Sequence, residues 1–267
     1  AGDNEAVDES AASPPPVQGP LRMFLSHERF PTKGGVLAFA VVNHDGAEFA
    51  YGVGGSFDRW DGGEWQPHRR FVSSLTGWSR AGSVYDPGDP IGIPDIGLVA
   101  AAGQTGSLEW LQLPRLEPGW YRLTHNSSDS DRVAAGIIEV SAQPGTLAPD
   151  LTGPGEQPIL GVQPFLLPAG QHEIRVVATA PSINTADQAA AFDATLAPTV
   201  ALQHWVDGGW ETLTVLPVDT SPQPPVRNTK EVAVTLPALD TGAYRLLRDS
   251  TAVAPLPGHL WVTDLLR

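Results

Sequence analysis

The chain has 267 residues and a formal net charge of −14, divided as −4 over residues 1–20, −4 over 21–142 and −6 over 143–267. Neither half offers the Lys and Arg face that phosphate binding needs, so nucleic acid is a poor partner, and acidity on both halves disfavours an anionic bilayer. There is no Cys, which excludes disulfides, thiolate catalysis and Cys-based zinc sites.

Residues 1–20 are acidic, small and Pro-rich, running through Pro14-Pro15-Pro16. Such a segment is too polar to pack and predicts a disordered tether, of the kind left on an exported protein after its leader is removed. Twenty-eight Gly and 26 Pro then punctuate short apolar runs, the pattern of many strands joined by turns. No apolar run approaches the roughly 18 residues needed to span a bilayer. Leu21 to Leu25 predicts a first strand, and the unbroken apolar run Val36 to Val42 a buried central one, closed by the turn Asn43 to Gly46. Glu48 to Val53 returns. Trp60 and Trp65 flank Asp61-Gly62-Gly63-Glu64, a hairpin tip. Residues 76–98 break into Gly, Pro, Asp and isolated aromatics and predict a long loop. Ser107 to Leu113 alternates, Trp120 to His125 is a strand, and Val133 to Ser141 closes the half.

Residues 142–158 carry no periodicity and predict a linker, after which the plan restarts. Ile174 to Thr179 stands for the central strand, Ala190 to Ala197 for the return, and Trp205 to Trp210 for the hairpin with the same Trp-to-Trp spacing. Glu231 to Leu236 leads to the next corner, and Gly258 to Thr263 echoes Gly136 to Ser141. The two halves share one eleven-residue phrase. It runs from Leu113 to Leu123 and again from Leu236 to Leu246, with Leu, Pro, Leu, an acid, Gly, Tyr, Arg and Leu in the same slots. In the acid-x-Gly-x-Tyr core, Gly permits a tight turn, and Tyr121 and Tyr244 start a strand with the ring inside and the hydroxyl bonded back to the upstream backbone. Phrases recurring in one order predict an internal duplication. The fold class expected is all-β: two tandem immunoglobulin-like antiparallel sandwiches of about seven strands each, over residues 21–142 and 143–267.

Gly35 to Asn43, Gly63 to Trp65 and Pro118 to Arg122 make the first half resemble the bacterial immunoglobulin-like domains of exported and surface-attached proteins. Gly170 to Thr179, Gly209-Trp210 and Thr241 to Arg245 match more loosely, without the Asn and with Thr241 for Pro. The resemblance implies a non-enzymatic accessory or adhesion module, secreted or held at the cell surface. A lipid anchor on a residue absent from this chain is one route to that surface. It implies nothing about the ligand.

Between Trp65 and Tyr121 lie 55 residues, against 33 between Trp210 and Tyr244. The first half therefore holds an insertion, and long loops in compact domains often carry function. Trp78, Arg80, Tyr85, Asp86, Asp89 and Asp95 are its candidate ligand-binding residues: Trp78 and Tyr85 as stacking faces for a sugar, the acids as oxygens for Ca²⁺. The plainer alternative docks its aromatics on the sandwich. Trp78, Tyr85, Ile91, Ile93 and Ile96 also give it enough apolar surface to fill a groove between the halves. The paired Trp residues read as cross-strand packing. Seven histidines share no metal-ligand spacing, and His44, His125 and His172 fall in or beside turns where exposed histidine is ordinary. No catalytic motif is present and neither a cofactor nor a metal is expected. The chain is expected to be a monomer that binds a protein or glycan partner. A carbohydrate-binding module using residues 76–98 is the alternative, followed by a hydrolase with a site between the domains.

Overall fold

The computed structural model describes residues 13–27, 29–75, 81–142, 151, 159–179, 199–218, 229–247 and 257–266. Most of the predicted tether and linker, and the return strand expected at 190–197, lie outside them. The described residues are strands and turns, with one 3-10 turn at Asp264–Leu266 and no α-helix. None forms a helix long and apolar enough to cross a membrane.

The first half contributes β1 (Leu21–Leu25), β2 (Arg29–Pro31), β3 (Gly35–Asn43), β4 (Phe49–Gly52), β5 (Gly54–Trp60), β6 (Trp65–Val72), β7 (Ser74–Leu75), β8 (Gly82–Tyr85), β9 (Gly97–Ala100), β10 (Glu109–Leu113), β11 (Gly119–Asn126) and β12 (Val133–Ser141). Eight of them run in the order β1-β3-β10-β8-β6-β5-β11-β12, and β12 pairs back to β1 through Arg22 and Ala135. The ladder closes on itself as a barrel, where an open seven-stranded sandwich was expected. Closure needs two junctions: the β1–β12 pair on one side, and on the other β8, which comes from the insertion predicted to be a loop and bridges β6 and β10. Gly82 makes this possible, because a Cβ there would collide with the backbone of Val72 and Ser73. A separate ribbon pairs β4 with β9.

The second half contributes β13 (Ile159–Gln163), β14 (Leu166–Leu167), β15 (Gly170–Thr179), β16 (Thr199–Val206), β17 (Gly209–Pro217), β18 (Thr229–Leu239), β19 (Gly242–Leu247) and β20 (Pro257–Val262). Among the described residues the ladders here remain two sheets, β13-β15-β18 and β14-β20-β19-β16-β17. Its hairpin turns on Asp207 (φ 48°) and Gly208 (φ 87°), the two-residue turn whose twist suits adjoining strands.

Each half has its own apolar core. Leu37, Phe39, Val41, Phe57, Phe71, Leu111, Leu123 and Ile138 are central to the first, and Ile174, Val176, Leu202, Val234, Leu246 and Leu260 to the second. A third cluster lies between the halves, where Phe24, Ala38, Val42 and Trp110 meet Leu151, Leu166 and Trp261. This explains the unbroken apolar run of β3. Leu37, Phe39 and Val41 face the first core while Ala38 and Val42 face the second half, so both sides of the strand are buried. Of the described part of the 76–98 segment, Ala81 packs against that cluster. Ile91, Ile96 and Tyr85 pack on the first core, Ile93 is 44% exposed, and the rings between the halves belong to the strands. Trp78 lies outside the described residues.

Candidate functional site

Four groups of side chains have the composition of a site. The first is the insertion. Tyr85 ends β8 opposite Arg70 and is half-buried against the first core. The Asp86 carboxylate pairs with Arg69 at 2.7 Å. The Asp89 carboxylate accepts the Asp86 N–H at 3.1 Å, closing the turn it sits in. Asp95 is exposed. Two of the three acids are thus held by the protein itself. Among the described residues no group of three or more His, Cys, Asp or Glu is placed to hold a metal ion. Trp78 and Arg80 lie outside the described residues.

The second group recurs in both halves. Trp60 and Trp65 pair across β5 and β6 with ring centroids 5.2 Å apart, and Trp205 and Trp210 do the same at 5.2 Å across β16 and β17. The Arg of each corner phrase lies over the second Trp, Arg122 at 4.9 Å from the Trp65 centroid and Arg245 at 4.4 Å from that of Trp210. Each guanidinium is anchored two residues before the first Trp: Arg122 donates to Asp58 at 2.7 and 3.1 Å, Arg245 to Gln203 at 2.7 Å. The corner tyrosines lie alongside. Tyr121 donates its hydroxyl to the Glu117 carbonyl at 3.0 Å and Tyr244 to that of Asp240 at 2.9 Å. Burial raises both phenol pKa values. These side chains are spent on one another, leaving packing as their chemistry.

The third group is sealed inside the barrel. Glu109, His125 and Ser73 are wholly buried. Glu109 Oε2 meets the Ser73 hydroxyl and lies 3.1 Å from His125 Nε2, while His125 Nδ1 donates to the Gly54 carbonyl at 3.1 Å. One proton therefore sits between Nε2 and Oε2, whichever atom holds it. The Tyr51 ring lies tilted against His125 with centroids 4.9 Å apart, and burial first, then the Glu109 charge, pushes its phenol far above the ordinary range. A serine, a histidine and a carboxylate invite comparison with a hydrolytic triad, yet the order differs. The carboxylate lies between the other two, so the serine has no imidazole to take its proton, and no substrate reaches groups without solvent exposure.

His125 corrects the expectation of an exposed turn histidine. Its signal was present as period-two alternation: Tyr121, Leu123 and His125 share the inward face of β11, as Glu109, Leu111 and Leu113 share that of β10.

The fourth group lies where the halves meet. His259 is buried among Trp110 of the first half, Trp210 and Trp261, with centroids at 6.3, 5.8 and 6.1 Å. Neither ring nitrogen has a hydrogen-bond partner among the described residues. Burial, with the positive charge of Arg245 second, pushes its pKa down to about 3. His44 Nε2 donates to the Leu265 carbonyl at 2.8 Å and ties the halves again at the rim.

One edge is left. β17 ends the five-stranded sheet, with β16 on one side and no strand partner on the other among the described residues. It exposes Leu213 at 51% and Val215 at 59%. Leu213 is the extra residue of a bulge between the pairs Leu202–Thr214 and Gln203–Thr212. Sequence reading missed this edge, because alternation reveals a strand but not whether a neighbour lies beside it.

No family model matches the sequence, and no curated protein does. Among solved structures, the YadV chaperone aligns over 91% of this chain and 100% of its own at 8% identity, with a TM-score of 0.26. The E. coli chaperone DraB aligns over 91% and 97% at 11% identity, TM-score 0.24. The BSP domain of a biofilm-associated protein aligns over 91% of this chain and 29% of its own at 11% identity, TM-score 0.29. Scores this low carry no argument for fold or activity, and the strand ladders alone define the architecture.

Proposed function

We propose that the chain is a non-enzymatic interaction module built from two tandem immunoglobulin-like units, residues 21–142 and 143–267, on one duplicated plan. The observation that carries this reading is the edge strand β17, whose backbone lacks a second strand partner among the described residues and whose Leu213 and Val215 face solvent. Long apolar edges are normally blunted or covered, since they pair with other chains. An edge without a second partner among the described residues suits recognition of an extended segment of a partner protein, by main-chain hydrogen bonds with side-chain selection along the strand. The sequence resemblance extends the reading to an extracytoplasmic setting. The sugar-binding alternative is weaker, because Tyr85, Asp86 and Asp89 are engaged within the fold.

The test is a peptide-display selection on the full chain, run beside a glycan array. Selected peptides whose binding is lost in Leu213→Lys and Val215→Lys variants support the module. Glycan binding that those variants leave intact, with no peptide selected, would overturn it.

A further inference from the structure

The first half shows what fits beside such an edge. There β8 pairs antiparallel with β6 through Arg70–Tyr85, Phe71–Val84 and Val72–Ser83, and parallel with β10 through Leu111–Gly82 and Gln112–Ser83. Counting from the paired Trp residues, Arg70 stands five after Trp65 as Val215 stands five after Trp210. Counting from the corner, Leu111 stands ten before Tyr121 as Val234 stands ten before Tyr244. The stretch of β17 matching the β8 contact is therefore Val215-Leu216-Pro217, and that of β18 is Val234-Thr235. Among the described residues neither stretch has a strand on this side.

We propose, building on the interaction reading above, that β17 receives from a partner protein an extended segment of the β8 type. The segment runs antiparallel to Val215–Pro217. It sets an aromatic or aliphatic side chain against Val215, where Tyr85 meets Arg70 in the first half, and brings small residues to the β18 side, where Gly82 and Ser83 lie. Its flanks are basic, because residues 143–267 carry −6 and opposite charge steers encounter. Val215 is the selecting residue. Its side chain is exposed on an edge without a second strand partner among the described residues, and β-branched–aromatic pairs are favourable across a ladder.

The experiment titrates the full chain with a synthetic peptide reading Gly-Ser-Val-Tyr between pairs of lysines, followed by amide exchange and NMR shifts. Slowed exchange at whichever of the Val215 and Leu216 amides points away from β16, with binding weakened roughly tenfold or more in Val215→Glu and unchanged in Arg70→Glu, is the expected result. The same peptide with Pro in place of its Val loses an N–H and should not slow exchange. No slowing at these amides at about millimolar peptide, a concentration that detects even weak association, would overturn the proposal. So would equal slowing by the Pro peptide, which would mean charge attraction alone. If display peptides bind through Leu213 and Val215 while this probe does not, the interaction module stands and the β8-type segment falls. If neither binds, both fall.

Discussion

The two halves share a corner, a Trp–Arg stack and a hairpin bulge, and yet one is a closed barrel and the other a pair of sheets. The bulge shows how like parts are put to different ends. It falls three residues after the second Trp in each half, at His68 and at Leu213. His68 folds in against Phe57 and Tyr121, at 6.3 and 5.6 Å, whereas Leu213 stays out. The closed half also keeps a polar cluster in its core. Glu109 stands twelve residues before Tyr121, and Val232, twelve before Tyr244, fills the matching place with an apolar side chain. Ser73, eight after Trp65, likewise has the apolar Val218, eight after Trp210, in its place, so the polar interior of the first half is replaced at more than one position.

The largest effect expected of any break in this comparison comes from Glu109→Ala. It strands His125 and Ser73 without exposure to water, and removing one member of a buried pair costs about 3–5 kcal/mol. Amide exchange should speed up in β3 and β11 and not in β15; equal acceleration in both halves would show that they unfold as one unit. Gly82→Val comes next. Crowding β8 against Val72 and Ser73 costs about 1–3 kcal/mol and should free the outer amides of β6 and β10, giving the first half the open edge of the second. Retained protection at Leu111 and Phe71 would refute the bridging role of β8.

The contact between the halves has its own pH dependence. His259 is held neutral with its pKa lowered to about 3, while in an unfolded chain it titrates near 6.5. Its share of stability is complete above the unfolded value and falls as pH drops from there toward the folded one. The slope is at most about 1.4 kcal/mol per pH unit, or about 2 kcal/mol between pH 6.5 and 5. His259→Phe should flatten a plot of melting temperature against pH over that window, and an unchanged slope would assign the effect to other groups. The smallest effect sharpens the comparison. Tyr121→Phe and Tyr244→Phe should each cost about 1 kcal/mol, and by similar amounts, because their bonds to the carbonyl four residues upstream differ by only 0.1 Å (3.0 against 2.9 Å). Unchanged melting in both variants would make those bonds incidental.

The sequence announced what repeats locally. Spacing within the corner phrase, Trp-to-Trp distances and the unbroken run of β3 are set by turns and burial that act over a few residues, so they can be read directly. What could not be read depends on which strands become neighbours. β8 is four residues among Gly, Pro and Asp, too short for its alternation to stand out, and its place between β6 and β10 is a tertiary fact. The same holds for β17, whose openness is a property of what lies beside it. Among the residues proposed for a ligand, Asp86 and Asp89 were sound choices by type, but their partners, Arg69 and their own turn, were invisible until the chain was folded.

In each half the second strand pairs with the last, and this carries a mechanical consequence. β2 runs parallel to β12 through Arg29–Glu139, Phe30–Val140 and Pro31–Ser141, and β14 runs parallel to β20 through Leu166–Trp261 and Leu167–Val262. In a parallel pair the start of one strand and the end of its neighbour point opposite ways. Tension applied through the two ends of a half therefore slides the strands past each other and loads every hydrogen bond of the ladder together, where an antiparallel terminal pair would peel one bond at a time. The ion pair of Arg29 with Glu139, at 2.8 Å, bridges that sliding plane. A ladder connected in this way is expected to resist stretch along its length better than one that opens bond by bond.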